Sequence, residues 1–111
     1  MMTAEEDIQK MIGKFERRMA KDEEAKEKVK EIRKTINIDL GEEHYSFCVA
    51  DAAVKDFKPE ALETADITLI TTPENLHLLV EGELRPMRAY VTRKIVIKGK
   101  IEDIMHLKSL L

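Results

Sequence analysis

The chain has 111 residues, 43% of them hydrophobic and 37% charged, with 19 basic and 22 acidic side chains. That length predicts one domain over residues 1–111 and excludes a multidomain enzyme or a large nucleotide-binding fold. Apolar runs of only a few residues exclude a helical membrane span, which needs ~20, and a lone cysteine, Cys48, excludes an internal disulfide and a cysteine-built zinc site.

The opening segment reads as helix. Thr3 followed by Glu6 forms a capping box, in which the hydroxyl accepts from a free backbone N–H and the Glu reaches back to the cap. Ile8, Met11, Ile12, Phe15 and Met19 then share one helical face. Asp22 and Lys26 interrupt that stripe, and Ala25, Val29 and Ile32 restart it in a new phase, so two helices or one bent helix are predicted across 4–33. From Lys34 the period becomes two. Ile36, Ile38 and Leu40 alternate with Thr35, Asn37 and Asp39, as in a strand with one wet face. After a turn at Gly41–Glu43, Tyr45, Phe47 and Val49 point one way in a second strand, and a third, 52–57, follows almost without a loop. Lys58-Pro59-Glu60 breaks the meander, and a fourth strand covers 65–71 with Ile67 and Leu69 inward. Thr72-Pro73 starts a helix with Leu76, Leu79 and Val80 on its apolar side and Gly82 at its end. Pro86 opens a short helical turn with Met87, Tyr90 and Val91; 94–98 is the fifth strand, Gly99 a turn, and 101–111 a final helix. The predicted fold is α+β, with one five-stranded, mainly antiparallel sheet and helices covering one face.

The catalytic inventory is thin, and no enzyme is expected. His44, His77 and His106 sit on three different elements with no acid at a ligand or triad offset, and read as surface or boundary residues. No metal motif, glycine-rich phosphate loop or other cofactor signature appears. Cys48 lies mid-strand and reads as structural. Asp51 and Asp66 bracket strands; solvated strand-end acids are commoner than a working carboxylate pair. Aromatic residues make up 5% of the chain and none interleaves with a basic run on a strand, which argues against nucleic acid.

Two features are less bland. The stretch from Leu76 to Val91 and the last helix, with Ile104 and Met105, hold more apolar residues than one core stripe requires. That surplus either fills a core or dimer contact, or lines a cavity for an apolar ligand. Charge is also uneven: residues 34–84 hold eleven acids against Lys34, Lys55 and Lys58, whereas 85–100 contains no acid at all.

The ordered set Ala65-Asp66-Ile67-Thr68-Leu69-Ile70-Thr71, a Leu-rich helix, Glu81-Gly82-Glu83-Leu84, Pro86-Met87-Arg88-Ala89-Tyr90 and Lys94-Ile95-Val96-Ile97-Lys98-Gly99 resembles the sterol carrier protein type 2 domain family over about 65–111. The resemblance implies an apolar tunnel for sterols, fatty acyl chains or other lipids, and no fixed catalytic residues. It places Phe47, Leu69, Leu76, Leu79, Val80, Met87, Tyr90, Val91, Ile104 and Met105 at the tunnel. Arg93 stands where the family usually has Gly, which predicts a reshaped turn. The ending Lys108-Ser109-Leu110-Leu111 departs from the Ser-Lys-Leu type peroxisomal signal. Met1–Glu6 lacks the opening of a secretory signal, so a cytoplasmic location is expected. The leading expectation is a non-enzymatic lipid or acyl-chain carrier, monomeric or homodimeric, touching anionic membranes weakly through Arg85, Arg88 and Arg93. The alternatives are an accessory module presenting isoprenoid or quinone intermediates to a biosynthetic complex, and a dimerisation module without ligand.

Overall fold

The computed structural model describes residues 3–100, 102 and 103. Helix α1 (Ala4–Lys21) begins where Thr3 Oγ1 accepts the Glu6 N–H at 3.1 Å. It buries Ile8, Met11, Ile12, Phe15 and Met19. The break in the apolar stripe is a break in the backbone. Asp22 leaves helical geometry (φ −114°, ψ 96°), and its carboxylate caps helix α2 (Glu23–Val29) by accepting the Ala25 N–H at 3.0 Å. One short side chain thus ends α1 and starts α2.

Five strands follow: β1 (Lys34–Asp39), β2 (His44–Ala50), β3 (Ala53–Lys58), β4 (Ile67–Ile70) and β5 (Val96–Gly99). Their spatial order is β3-β2-β1-β4-β5, with β1 and β4 parallel and every other pairing antiparallel. The abrupt β2–β3 connection is a two-residue turn. Asp51 and Ala52 both take positive φ, 54° and 57°, between the paired residues Ala50 and Ala53, the combination whose twist matches that of the flanking strands. A register irregularity between Ser46 and Cys48 bends the β2–β3 pairing, and Asp56 opposite it also has positive φ, 56°.

Register decides which side chains meet. Ile36 lies between Phe47 and Ile67, and Ile38 between Tyr45 and Leu69. All six are buried, so one sheet face is continuously apolar. Helix α1 and helix α3 (Pro73–Val80) cover it, joining Ile8, Phe15 and Leu76 to the sheet residues in one core. The alternation read from the sequence therefore holds on β1 and β2. On β2, however, the opposite side is not simply wet, since Ser46 and Ala50 are also buried.

The cause is the β3–β4 connection, which crosses the back of the sheet. Ser46 Oγ donates to the Glu60 carbonyl at 2.7 Å. Asn37 donates to the Leu62 carbonyl at 3.0 Å and accepts the Leu62 N–H at 2.8 Å. The Asp66 carboxylate accepts from the Thr35 N–H and hydroxyl at 2.9 and 3.1 Å, and the Thr35 hydroxyl accepts the Asp66 N–H. Three polar side chains of the nominally wet face thus hold a strap of irregular backbone, supplying the hydrogen bonds that its N–H and C=O groups need. The predicted final helix lies mostly outside the described residues. Glu102 and Asp103 are helical, and buried Asp103 pairs with Lys34 of β1 at 2.9 Å.

Candidate functional site

The segment joining β4 to β5 carries most of the predicted lining residues. Thr72 Oγ1 accepts the Asn75 N–H at 3.1 Å, and Pro73 occupies the first turn, so α3 starts as its sequence predicts. Gly82, at φ 80°, follows its end. Helix α4 (Pro86–Val91) then closes in a tight reversal: the Arg93 N–H donates to Tyr90 O at 3.2 Å and the Lys94 N–H to Ala89 O at 2.8 Å. This pair of bonds requires a left-handed residue, and Arg93 supplies it with φ 62°. The turn thus closes on a bulky residue in the left-handed region, which carries the strain that a glycine would avoid. Thr71 Oγ1 and Asn75 Nδ2 both donate to the Lys94 carbonyl, at 2.9 and 3.2 Å, tying this reversal to the start of α3.

The predicted lining residues fall into distinct sets. Phe47, Leu76 and Val80 belong to the main core beneath α1. Leu69 and Leu79 belong to a second buried cluster with Leu84, Ala89 and Ile95. Met87, Tyr90 and Val91 are on the surface, 57%, 44% and 74% exposed. Ile104 and Met105 lie outside the described residues. Ala89 and Ile95 are core residues of this region that sequence reading passed over. Ile95 falls within the predicted strand 94–98, but β5 begins only at Val96, and the reversal after α4 places Ile95 in the core.

Among the described residues, every large hydrophobic side chain on the surface lies between 87 and 96: Met87, Tyr90, Val91 and Val96. Arg85, Arg88, Arg93, Lys94, Lys98 and Lys100 are exposed in the same stretch, and none forms an ion pair among the described residues. Three acids of the middle segment pair with other residues: Asp51 with Lys55 and Arg33, Asp39 with His44, and Glu81 with Lys10. Asp51 and Asp66, weighed as a carboxylate pair, have separate partners. An open groove of about 500 Å³ lies at the β1–β2 turn, between Glu42, Glu43, His44 and Tyr45 on one side and Pro59, Glu60 and Ala61 on the other, and none of the predicted lining residues borders it.

The histidines do not all stand apart from acids. His77 Nδ1 lies 3.0 and 3.2 Å from the two carboxylate oxygens of Asp7, seventy positions earlier, and Glu81 follows His77 at the end of α3. No helix of the described residues is long and apolar enough to cross a membrane.

Comparison with known proteins gives the fold a context. No curated protein matches the chain. Among solved structures, the sterol carrier protein domain 2 of Helicoverpa armigera is 21% identical, with TM-score 0.67 over 97% of this chain and 85% of that one. A palmitated SCP2L2 from Aedes aegypti is 16% identical, with TM-score 0.65 over 98% and 94%. The inverting sec-alkylsulfatase Pisa1 from Pseudomonas sp. is 15% identical, with TM-score 0.63 over 78% of this chain; the match spans only 14% of the sulfatase. The model of the SCP-2 sterol transfer family matches residues 12–111, nearly the whole length. With the mixed five-stranded sheet, the strap behind it and the α3–α4 reversal in place, the chain belongs to the SCP-2 sterol transfer family.

Proposed function

We propose that the protein is a non-enzymatic cytoplasmic carrier of an apolar lipid, of the fatty acyl, isoprenoid or sterol-like class. The ligand would engage Met87, Tyr90 and Val91 at the surface and the Leu69 and Leu79 cluster behind them, and would reach Phe47, Leu76 and Val80 only by parting α3 from the main core; Ile104 and Met105 complete the proposed lining. One observation carries this reading: among the described residues, the exposed large apolar side chains are gathered on and just beyond α4, inside a fringe of exposed cations. A collected apolar patch marks an interaction surface, whereas singly scattered apolar residues do not. Burial contributes roughly 0.8 kcal/mol per CH₂ removed from water, so a long chain binds without polar contacts. Arg85, Arg88 and Arg93 favour anionic headgroups during exchange, at ~1 kcal/mol for each cation near the surface.

The test is mass spectrometry of an organic extract of the purified protein, with flotation on acidic and neutral vesicles. The expected result is a co-purified lipid and salt-sensitive binding to acidic vesicles, lost when Arg85, Arg88 and Arg93 are all changed to Glu. An isoprenoid or quinone in the extract would favour presentation to a biosynthetic complex. A clean extract from a tight homodimer would overturn the carrier reading and assign the α4 patch to a contact between copies.

A further inference from the structure

We propose that Asp7, His77 and Glu81 form a binding site for a divalent transition metal of the zinc class, bridging α1 and α3 away from the lipid surface. One donor atom from each of the three lies within 4.8 Å of the others. An imidazole with two carboxylates is a donor set suited to Zn²⁺, Co²⁺ or Mn²⁺, and lacks the soft sulfur ligands that copper(I) and iron–sulfur clusters favour.

Burial separates this group from an ordinary surface cluster. Asp7 is only 2% exposed, yet both of its oxygens face the same ring nitrogen of His77. A buried carboxylate demands compensating positive charge, and a bound cation between Asp7 and His77 would supply it. Zinc–ligand bonds of ~2.0–2.2 Å place neighbouring donors roughly 3–3.5 Å apart, so the Asp7–His77 spacing already fits. Glu81 is the movable third donor, on the exposed end of α3.

A cation already stands against Glu81. Lys10 Nζ lies 2.7 Å from Glu81 Oε1, and that bond holds the Glu81 carboxyl below its ordinary value, with the charges of Lys10, His77 and Lys14 acting in the same direction. Lys14 itself donates to the Val80 carbonyl. Lys10 is therefore a competitor for the incoming ion, and metal binding requires it to swing from Glu81 into solvent. Once bound, the metal would clamp α1 onto the end of α3 by ligand bonds. Lipid plays no part in the site, so its test is independent of the carrier reading.

The experiment is calorimetric titration of the chelator-treated full chain with ZnCl₂, with CoCl₂ titrated in parallel and followed by visible absorption. Saturable binding of one ion per chain is expected, together with a rise in Tm that grows with free metal concentration. Glu81→Gln and His77→Gln should each weaken binding by about tenfold or more, since even the outer partners of metal ligands are worth ~10–100-fold. Lys10→Ala removes the competitor and should strengthen binding by about threefold, the scale of an exposed ion pair. Lys10 and Glu81 meet near the surface, so their variants should fold normally. Absence of saturable binding would overturn the proposal. Equal affinity in the wild type, Glu81→Gln and His77→Gln would overturn it too, by placing the metal on other donors.

Discussion

Replacing Arg93 by Gly should stabilise the protein, and comparison with Arg93→Ala isolates the reason. Arg93 closes α4 with φ 62°, and the bonds from its own N–H to Tyr90 O and from the Lys94 N–H to Ala89 O require that conformation. A left-handed L-residue costs roughly 1–2 kcal/mol. Glycine escapes this cost but loses about 0.5–1 kcal/mol through its freer unfolded chain. The net gain for Arg93→Gly therefore lies between about 0 and 1.5 kcal/mol and centres on ~0.75 kcal/mol, whereas Arg93→Ala retains the strain. Both variants remove the same charge, so electrostatics cancel between them. In a chain of this size the difference corresponds to roughly 2–5 °C in Tm. Calorimetric melting and urea denaturation at neutral pH measure it. A Tm for Arg93→Gly at or below that of Arg93→Ala would refute the claim that the turn is held under strain.

Gly99 sets the opposite expectation. Its φ is 149°, and a Cβ there would lie 2.7 Å from the Asp66 carbonyl oxygen, a backbone atom that cannot rotate away. Gly99→Ala should cost about 2–3 kcal/mol from strained backbone and lost β4–β5 pairing; an unchanged urea midpoint would contradict this. Asp66 supplies a pH dependence. The Thr35 backbone N–H, reinforced by the Thr35 hydroxyl and the charges of Lys34 and Lys100, holds its carboxyl below the usual carboxylate range against the opposing effect of burial. A depressed folded value means that its contribution is complete above the unfolded pKa of ~4 and is lost as pH falls through the lower folded value. Asp66→Asn should therefore be less stable than wild type at neutral pH, with the gap narrowing below pH ~4; a constant gap across that range would show that the strap does not depend on the charge.

Local signals in the sequence located the elements well because they act over a few residues. Thr3, Asp22 and Thr72 each cap a helix from three positions away, and the Asp51-Ala52 turn joins strands with no further chain. Structure held by distant partners was not legible. Asn37 looked like one more polar residue on a wet face, and its role appears only when Leu62, twenty-five positions on, reaches it. His77 read as a surface or boundary residue without an acid at a ligand offset, because its partner, Asp7, lies seventy positions away on another helix. At the candidate lipid site, composition showed an apolar surplus in 76–91. It did not distinguish Leu76, fully buried, from Val91, 74% exposed, because α3 and α4 are too short for a period to separate their faces.

The outer strands of the sheet bear on behaviour at high concentration. Strand β3 presents Lys55, Asp56 and Lys58 to solvent, is bent by the irregularity opposite Ser46 and Cys48, and turns left-handed at Asp56. Strand β5 has only four residues, carries Lys98, and ends at Gly99 beside Lys100. Charge, curvature and brevity each deny a foreign strand a flat template to extend. A protein that displays apolar side chains on α4 thus blocks one common route to fibrous aggregation, and self-association is left to side chains meeting side chains.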